Sequence, residues 1–301
     1  MTAPGTAGST APAPTPDDVR RELGAAGLLL SRAQATAVWL ARTLERPLLV
    51  EGPPGVGKSE LARALARSSG RELVVLHCHE QLDREEAVYA WDHAGQLLHL
   101  EQIKAGLAHD AGSMATDALH GEAFLIERPL LRALRAPTGA VLLVDEVDRS
   151  EEAFEALLLE FLDRFELTIH GLGTVTAAVR PWVVLTSNDT RQLTGAVRRR
   201  CLRAGFTHPD AATEAEILRR RVPEADAPVV DAVVGALHRL RSAGLRHPPG
   251  VSDGIDWTRA LVALGIARLD DERVPDTLPV VLKSGPDVGL AIARLRELMG
   301  A

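Results

Sequence analysis

Eight consecutive residues, Gly52-Pro53-Pro54-Gly55-Val56-Gly57-Lys58-Ser59, have the types and spacing of a phosphate cradle, G-x-x-x-x-G-K-[ST]. Glycines let successive backbone N–H groups turn toward one anion, the Lys58 ammonium reaches the β- and γ-phosphates, and the Ser59 hydroxyl holds Mg²⁺. A helix starting here, with Glu60 in its first turn, adds the positive end of its dipole. Gly52 to Glu60 are therefore the expected nucleotide-binding residues. The chain has only three lysines, Lys58, Lys104 and Lys283. One of them inside the loop of an arginine-dominated chain fits a site that wants a compact ammonium and not a wide guanidinium fork.

Three further stretches supply the rest of a hydrolytic site. "VLLVDE" is an apolar strand ending in two carboxylates, with Asp145 expected to hold Mg²⁺ and Glu146 to orient or deprotonate the attacking water. "VVLTSN" puts the Asn188 amide at the end of a neighbouring strand, where ligands of parallel sheets sit. Asn188 is expected to polarise the water or sense the γ-phosphate; the plainer alternative is a helix cap. "AVRRRC" carries Arg198, Arg199 and Arg200. One guanidinium, Arg200 ahead of Arg199, is expected to reach the γ-phosphate held by a neighbouring subunit; otherwise the run is a solvated basic face. No N-K-x-D guanine reader and no L-S-G-G-Q transporter signature occurs. The Asp145–Glu146 tandem also argues against a small-molecule kinase, which has no need to activate water.

The elements that must position these groups can be read from spacing. Residues 18–47 have helical periodicity, with Ala37, Leu40, Ala41 and Leu44 on one side. "PLLV" is a short strand before the glycine loop, and a helix with Leu61 and Leu65 follows it, ended by Gly70. "ELVVLHC", "AVLLVDE" and "PWVVLTSN" are buried strands alternating with helices, one of them capped at Ser150. This predicts an α/β fold with a parallel sheet covered on both faces. "ELTIHGLGTVTA" predicts a hairpin around Gly171 and Gly173. After residue 208 the pattern turns helical, with "LPVVL" the one possible strand. The expected organisation is a disordered tail over 1–17, a nucleotide-binding domain over 18–208 and a helical lid over 209–301.

Composition narrows the class. A net charge of −7 disfavours standing attraction to nucleic acid or anionic membrane. Two cysteines, Cys78 and Cys201, are too few for a disulfide framework. No apolar run is long enough to cross a membrane, and the first residues lack the features of a secretory signal. A cytoplasmic protein is expected. "LHCHE" resembles a metal site only superficially, because on a strand Cys78 faces away from His77 and His79. Tyr89 and Trp91 in "YAWDH" read as core packing or, alternatively, as a grip on a client chain.

The four chemical motifs in this order, followed by a helical lid, resemble an AAA+ P-loop NTPase over residues 25–300. The resemblance implies that Lys58, Ser59, Asp145 and Glu146 are the two Walker motifs, Asn188 sensor 1 and Arg200 the arginine finger. The hairpin at 166–177 and the long stretch from Lys58 to Asp145, with room for a helix-2 insert within 80–120, look like the MoxR family. "LDREEAVYAWDHAGQLL", "FLIERPLLRAL" and "DEVDRSEEAFEALLLEFL" are similar to its CoxD-like branch, linked to carbon monoxide dehydrogenase maturation. What this implies is a Mg²⁺-ATP-hydrolysing ring, expected to be a hexamer, that remodels or matures a client metalloenzyme with a von Willebrand factor A domain partner. Relatives place a sensor-2 Arg in an S-P-R-A-like segment; here Gly254 stands there, with Arg259 one turn later. Two other classes remain open at this point, a DNA-linked motor or loader and an ATP-gated scaffold with little turnover.

Overall fold

The structure, a computed structural model, describes residues 14–105, 119, 121–294 and 297. Most of the expected tail, part of the expected insert and the last few residues lie outside the described residues. Two helices open the described chain, α1 (Pro16–Ala25) and α2 (Arg32–Thr43). Each starts at a reciprocal capping box, Thr15 with Asp18 and Ser31 with Gln34, which satisfies two otherwise unpaired first-turn amides. The single helical stretch expected here is thus broken in two, at a turn where Gly27 adopts φ +89°. The buried stripe of α2 is Ala35, Val38 and Ala41, and Leu44 is exposed because the helix has already ended at Thr43.

The sheet follows from strongly apolar runs. β1 (Leu48–Glu51), β2 (Glu72–His77), β5 (Ala140–Asp145), β8 (Trp182–Ser187) and β9 (Leu202–Gly205) pair in parallel in the order β2-β5-β8-β1-β9. The three central strands are almost wholly buried, as strands covered on both faces must be. Between β1 and β2 lies α3 (Lys58–Ser69), closed by Gly70 at φ +70°. Between β2 and β5 the chain forms α4 (Arg84–Ala87), β3 (Tyr89–Trp91), α5 (His93–Lys104), β4 (Leu125–Glu127) and α6 (Pro129–Arg135), with β3 and β4 antiparallel. Tyr89 packs against the core under the sheet, and its hydroxyl accepts from the His170 amide at 3.3 Å.

α7 (Glu152–Arg164) follows β5 through a 3-10 turn at Val147–Arg149. Ser150 does not cap α7: its hydroxyl donates to the Val147 carbonyl at 2.8 Å, closing that turn, and Glu151 takes the N-cap position. β6 (Glu166–Ile169) and β7 (Gly173–Thr176) form an antiparallel hairpin whose turn holds Gly171 and Gly173 at positive φ. α8 (Gly195–Arg200) separates β8 from β9.

The remaining helices have their own core. α9 (Ala211–Arg221), α10 (Ala227–Ser242), α11 (Val251–Ala263), α12 (Val274–Val281) and α13 (Gly285–Ala293) pack around Trp257, which is 0% exposed and donates its indole N–H to the Thr277 hydroxyl at 2.8 Å. "LPVVL" contributes to α12 and not to a strand, because Val274, Leu278 and Val281 fall on one helical face against this core.

Both cysteines are buried, and desolvation pushes each thiol up to about 12; at Cys78 the nearby Asp145 carboxylate adds to the shift. Only the thiolate reacts. Native protein at pH 8 should therefore show no thiol that reacts quickly with Ellman's reagent, and two after denaturation. A fast-reacting thiol in the native protein would contradict the buried placement. Trp257→Ala should cost about 3–5 kcal/mol of helical-domain stability in urea unfolding followed by circular dichroism. A loss below about 1 kcal/mol would show that the helices do not share one core around this indole.

Candidate active site

The glycine loop leaves the C-terminal end of β1 and enters α3. A Cβ at Gly52 would lie 1.9 Å from the Phe206 carbonyl oxygen, and one at Gly55 would lie 2.8 Å from the Gly250 Cα, so backbone contact excludes side chains at both. Helix α3 begins with Gly57 as N-cap and no side-chain cap, which leaves its first amides directed at the loop. Those amides are the donors available to an anion. The Glu60 carboxylate is engaged elsewhere, by Arg67 at 2.7 Å and Arg221 at 2.9 Å. Burial works to raise its pKa, and the two arginines outweigh that and hold it low.

Lys58 is 7% exposed. Its Nζ donates to the Gly52 carbonyl at 2.8 Å, the Pro53 carbonyl at 2.7 Å and Asn188 Oδ1 at 2.7 Å. Burial lowers its pKa from the usual lysine value, and the carboxylates of Asp148, Asp145 and Glu146 act in the opposite direction. Three acceptors and three carboxylates thus surround one buried ammonium.

Asp145 ends β5 beside the start of α3. Its Oδ1 accepts from the Ser59 hydroxyl at 2.6 Å and from the Thr186 hydroxyl at 2.6 Å. A hydroxyl and a carboxylate in contact form the hard-oxygen donor set that Mg²⁺ takes, so Ser59 and Asp145 fit that ion. Glu146 follows at φ +56°, in a left-handed conformation uncommon for a non-glycine residue. Its amide donates to the Thr186 hydroxyl at 2.9 Å, while its carboxylate accepts from Asn188 Nδ2 at 3.3 Å and Arg149 at 2.8 Å.

Asn188 therefore bridges Lys58 and Glu146 through the two ends of one amide. Its backbone N–H is held by Asp148 Oδ2 at 3.1 Å, which also accepts from the Thr190 amide at 2.9 Å and hydroxyl at 2.7 Å. Burial works to raise the Asp148 pKa, and the hydrogen bonds from Thr190 and Asn188 outweigh it. Sequence reasoning missed Thr186, Asp148 and Arg149. All three stand inside quoted motifs, "VVLTSN" and "DEVDRS", but the roles of Thr186 and Asp148 depend on which strands are neighbours.

Arg200 lies outside this cavity. Its guanidinium is held by both oxygens of Asp163 on α7, with the Nη2 contact at 2.7 Å. Arg199 is exposed, and Arg198 lies 3.2 Å from Glu51, the 6% exposed last residue of β1. Arg203 of β9 also binds Glu51, so two guanidinium groups share the carboxylate that immediately precedes the loop.

The start of α11 meets the loop through its backbone, and the Ser252 hydroxyl lies 3.1 Å from where a Cβ on Gly55 would be. Val251 and Ser252 amides point at the Gly55 carbonyl, at 2.9 and 3.4 Å, and a Cβ at Gly250 would fall 2.6 Å from the Gly55 Cα. Gly254 faces Leu237 in the helical core, where a Cβ would come within 2.5 Å of Leu237 Cδ1. Arg259 contacts Asp256 and the Arg221 carbonyl and does not line the cavity. The arginine from these helices that does line it is Arg221. Loop, strand ends, Leu28–Leu30 and the helical domain enclose about 1320 Å³, room for a nucleotide.

Residues 47–201 match the family model described as AAA domain (dynein-related subfamily). The chain is 28% identical to Protein NorQ of Paracoccus denitrificans (strain Pd 1222), over 58% of this chain and 57% of that protein. It is 26% identical to the Gas vesicle ATPase GvpN2 of Halobacterium salinarum, over 87% and 74%. It is 32% identical to the Chaperone protein ClpC4, chloroplastic, of Oryza sativa subsp. japonica, over 47% of this chain but 13% of that protein. The chain thus spans little more than half the length of NorQ and a small part of ClpC4. Among solved structures, the Thermotoga maritima RuvB Holliday junction branch migration motor aligns at TM-score 0.45 and 17% identity, covering 94% of this chain and 76% of that one. With more than half its length matched, and the phosphate loop, acidic strand end and strand-end amide gathered round one cavity, the chain belongs to the AAA domain family, dynein-related subfamily.

Proposed function

We propose that the chain binds ATP with Mg²⁺ in this cavity, hydrolyses it, and uses the cycle as a ring to remodel or mature a partner enzyme. The observation that carries this is the continuous network Ser59–Asp145–Thr186–Glu146–Asn188–Lys58, which joins the phosphate loop to the ends of two strands. Lys58, released from the Gly52 and Pro53 carbonyls, neutralises phosphate charge. Ser59 and Asp145 would hold Mg²⁺, which would supply Lewis-acid polarisation of the phosphoryl oxygens. Glu146 accepts the proton of the attacking water, and Asn188 sets the distance between that base and Lys58. In the structure Arg149 occupies one oxygen of Glu146, so it must release the carboxylate for the base to act.

A charge-neutralising guanidinium from a second copy completes the site. Arg200 is our choice, oriented from behind by Asp163, with the exposed Arg199 beside it. The hexamer, the cytoplasmic setting, the von Willebrand factor A domain partner and the client metalloenzyme belong to this proposal through the resemblance to the MoxR family. Relatives named as an ATPase and a chaperone support its energy source and its class of action.

Glu146→Gln should keep ATP bound while cutting turnover by about 100-fold or more. Its native mass should rise to about six chains in Mg²⁺-ATP. Wild-type turnover would remove Glu146 from the base role, and a monomer in both states would remove Arg200 from the trans role. Gly250→Ala should weaken ADP binding at least tenfold while leaving the helical core folded, because a methyl group cannot fit between the two backbones. Unchanged ADP affinity by calorimetry would show that this contact does not hold the nucleotide.

A further inference from the structure

A second cavity, of about 470 Å³, opens at the opposite end of the sheet from the phosphate loop. It is bounded by α2, by the first residues of β1 and β8, and by residues 178–181. It shares no lining residue with the nucleotide cavity, and the strands between them span roughly 15–20 Å. Val38, Leu48 and Leu65 give it an apolar floor. Its walls carry four guanidinium groups, Arg42, Arg46, Arg71 and Arg180, against one carboxylate, Glu45.

Three of those arginines have partners. Arg42 meets Glu22 at 2.9 Å and Arg180 meets Glu45 at 2.8 Å, the second pair largely exposed and so worth little. Arg46 donates to the Arg199 and Arg200 carbonyls. The Arg71 guanidinium has a single hydrogen bond among the described residues, to the Arg180 carbonyl at 2.9 Å, and like that of Arg46 it has no carboxylate there within ion-pair distance. Arg71 and Arg42 both lie over the Trp182 indole, at 4.2 and 4.4 Å from the ring centroid, so two like charges are gathered on one aromatic side chain. Burial and the Arg42 charge together lower the Arg71 pKa from its usual value. Space for Arg71 is built in: a Cβ on Gly139 would come 2.9 Å from its Nη1.

We propose that this cavity binds a small organic anion with a carboxylate or phosphate head and an apolar body. The head completes the pairing of Arg71 and Arg42, whose planar forks match an oxyanion with two parallel N–H donors. The body lies on Val38, Leu48 and Leu65.

The test is calorimetric titration of phenyl phosphate into the full chain saturated with Mg²⁺-ADP, which keeps the probe out of the phosphate loop. Saturable uptake is expected, weakened at least tenfold by Arg71→Gln and by Arg42→Gln and unchanged by Arg164→Gln, an exposed position at the end of α7. Tryptophan fluorescence should change on binding and cease to change in Trp182→Phe. If Arg71→Gln lowers Tm, Arg71→Lys keeps the charge without the fork and should still lose tenfold. A parallel titration with hexanoate separates the two heads: uptake of both probes assigns any oxyanion, uptake of phenyl phosphate alone assigns phosphate. Heats that fail to saturate with either probe, or arginine variants that bind like the wild type, would overturn the site.

Discussion

One ammonium taken out of water organises this molecule. Lys58 is buried at the first position of a helix, where the helix dipole itself disfavours a cation. Desolvation adds a further cost, and an isolated charge there would lose its proton. The surroundings are arranged to prevent this: two loop carbonyls and one side-chain amide accept its hydrogen bonds, and three carboxylates supply compensating charge. The partners come from three places, the loop after β1, the exit of β5 and the exit of β8, so the strand order β5-β8-β1 is a condition for keeping Lys58 charged.

The same constraint explains the conformation of Glu146. Directly after Asp145 the chain must turn so that one carboxylate faces Ser59 and the next faces Asn188. A left-handed residue makes that turn in a single step, and the Thr186 hydroxyl, which receives the Glu146 amide and donates to Asp145, locks it. Strain at such a position persists only when neighbours over-determine it, and here they do.

Much of this was legible before the fold was known, for identifiable reasons. The glycine loop, the acidic strand end and Asn188 are local patterns tied to local backbone geometry. The parallel sheet followed from apolar runs alternating with helices. What escaped was long-range or set by a rival local rule. Thr186 and Asp148 act across strands, so nothing beside them in sequence marks their roles. Arg221 stands at the edge of the cavity because the helical domain folds back, while the more prominent Arg259 is directed elsewhere. Ser150 looked like a cap but closes the preceding 3-10 turn, and "LPVVL" looked like a strand although its apolar residues follow a helical period.

The contact of Gly55 with Gly250 has a consequence for how the two parts of the chain can be adjusted to each other. Most joints between domains are upholstered with side chains, and a methyl group more or less alters their fit by degrees. At this point peptide lies on peptide, with the Gly55 carbonyl seated under two amides at the start of a helix and the Ser252 hydroxyl beside it. A methyl group on either glycine has no place there. The latch between the helical domain and the phosphate loop is thus fixed in size where the two glycines meet, and gradual tuning of its grip falls to side chains around it, such as Arg221 on Glu60.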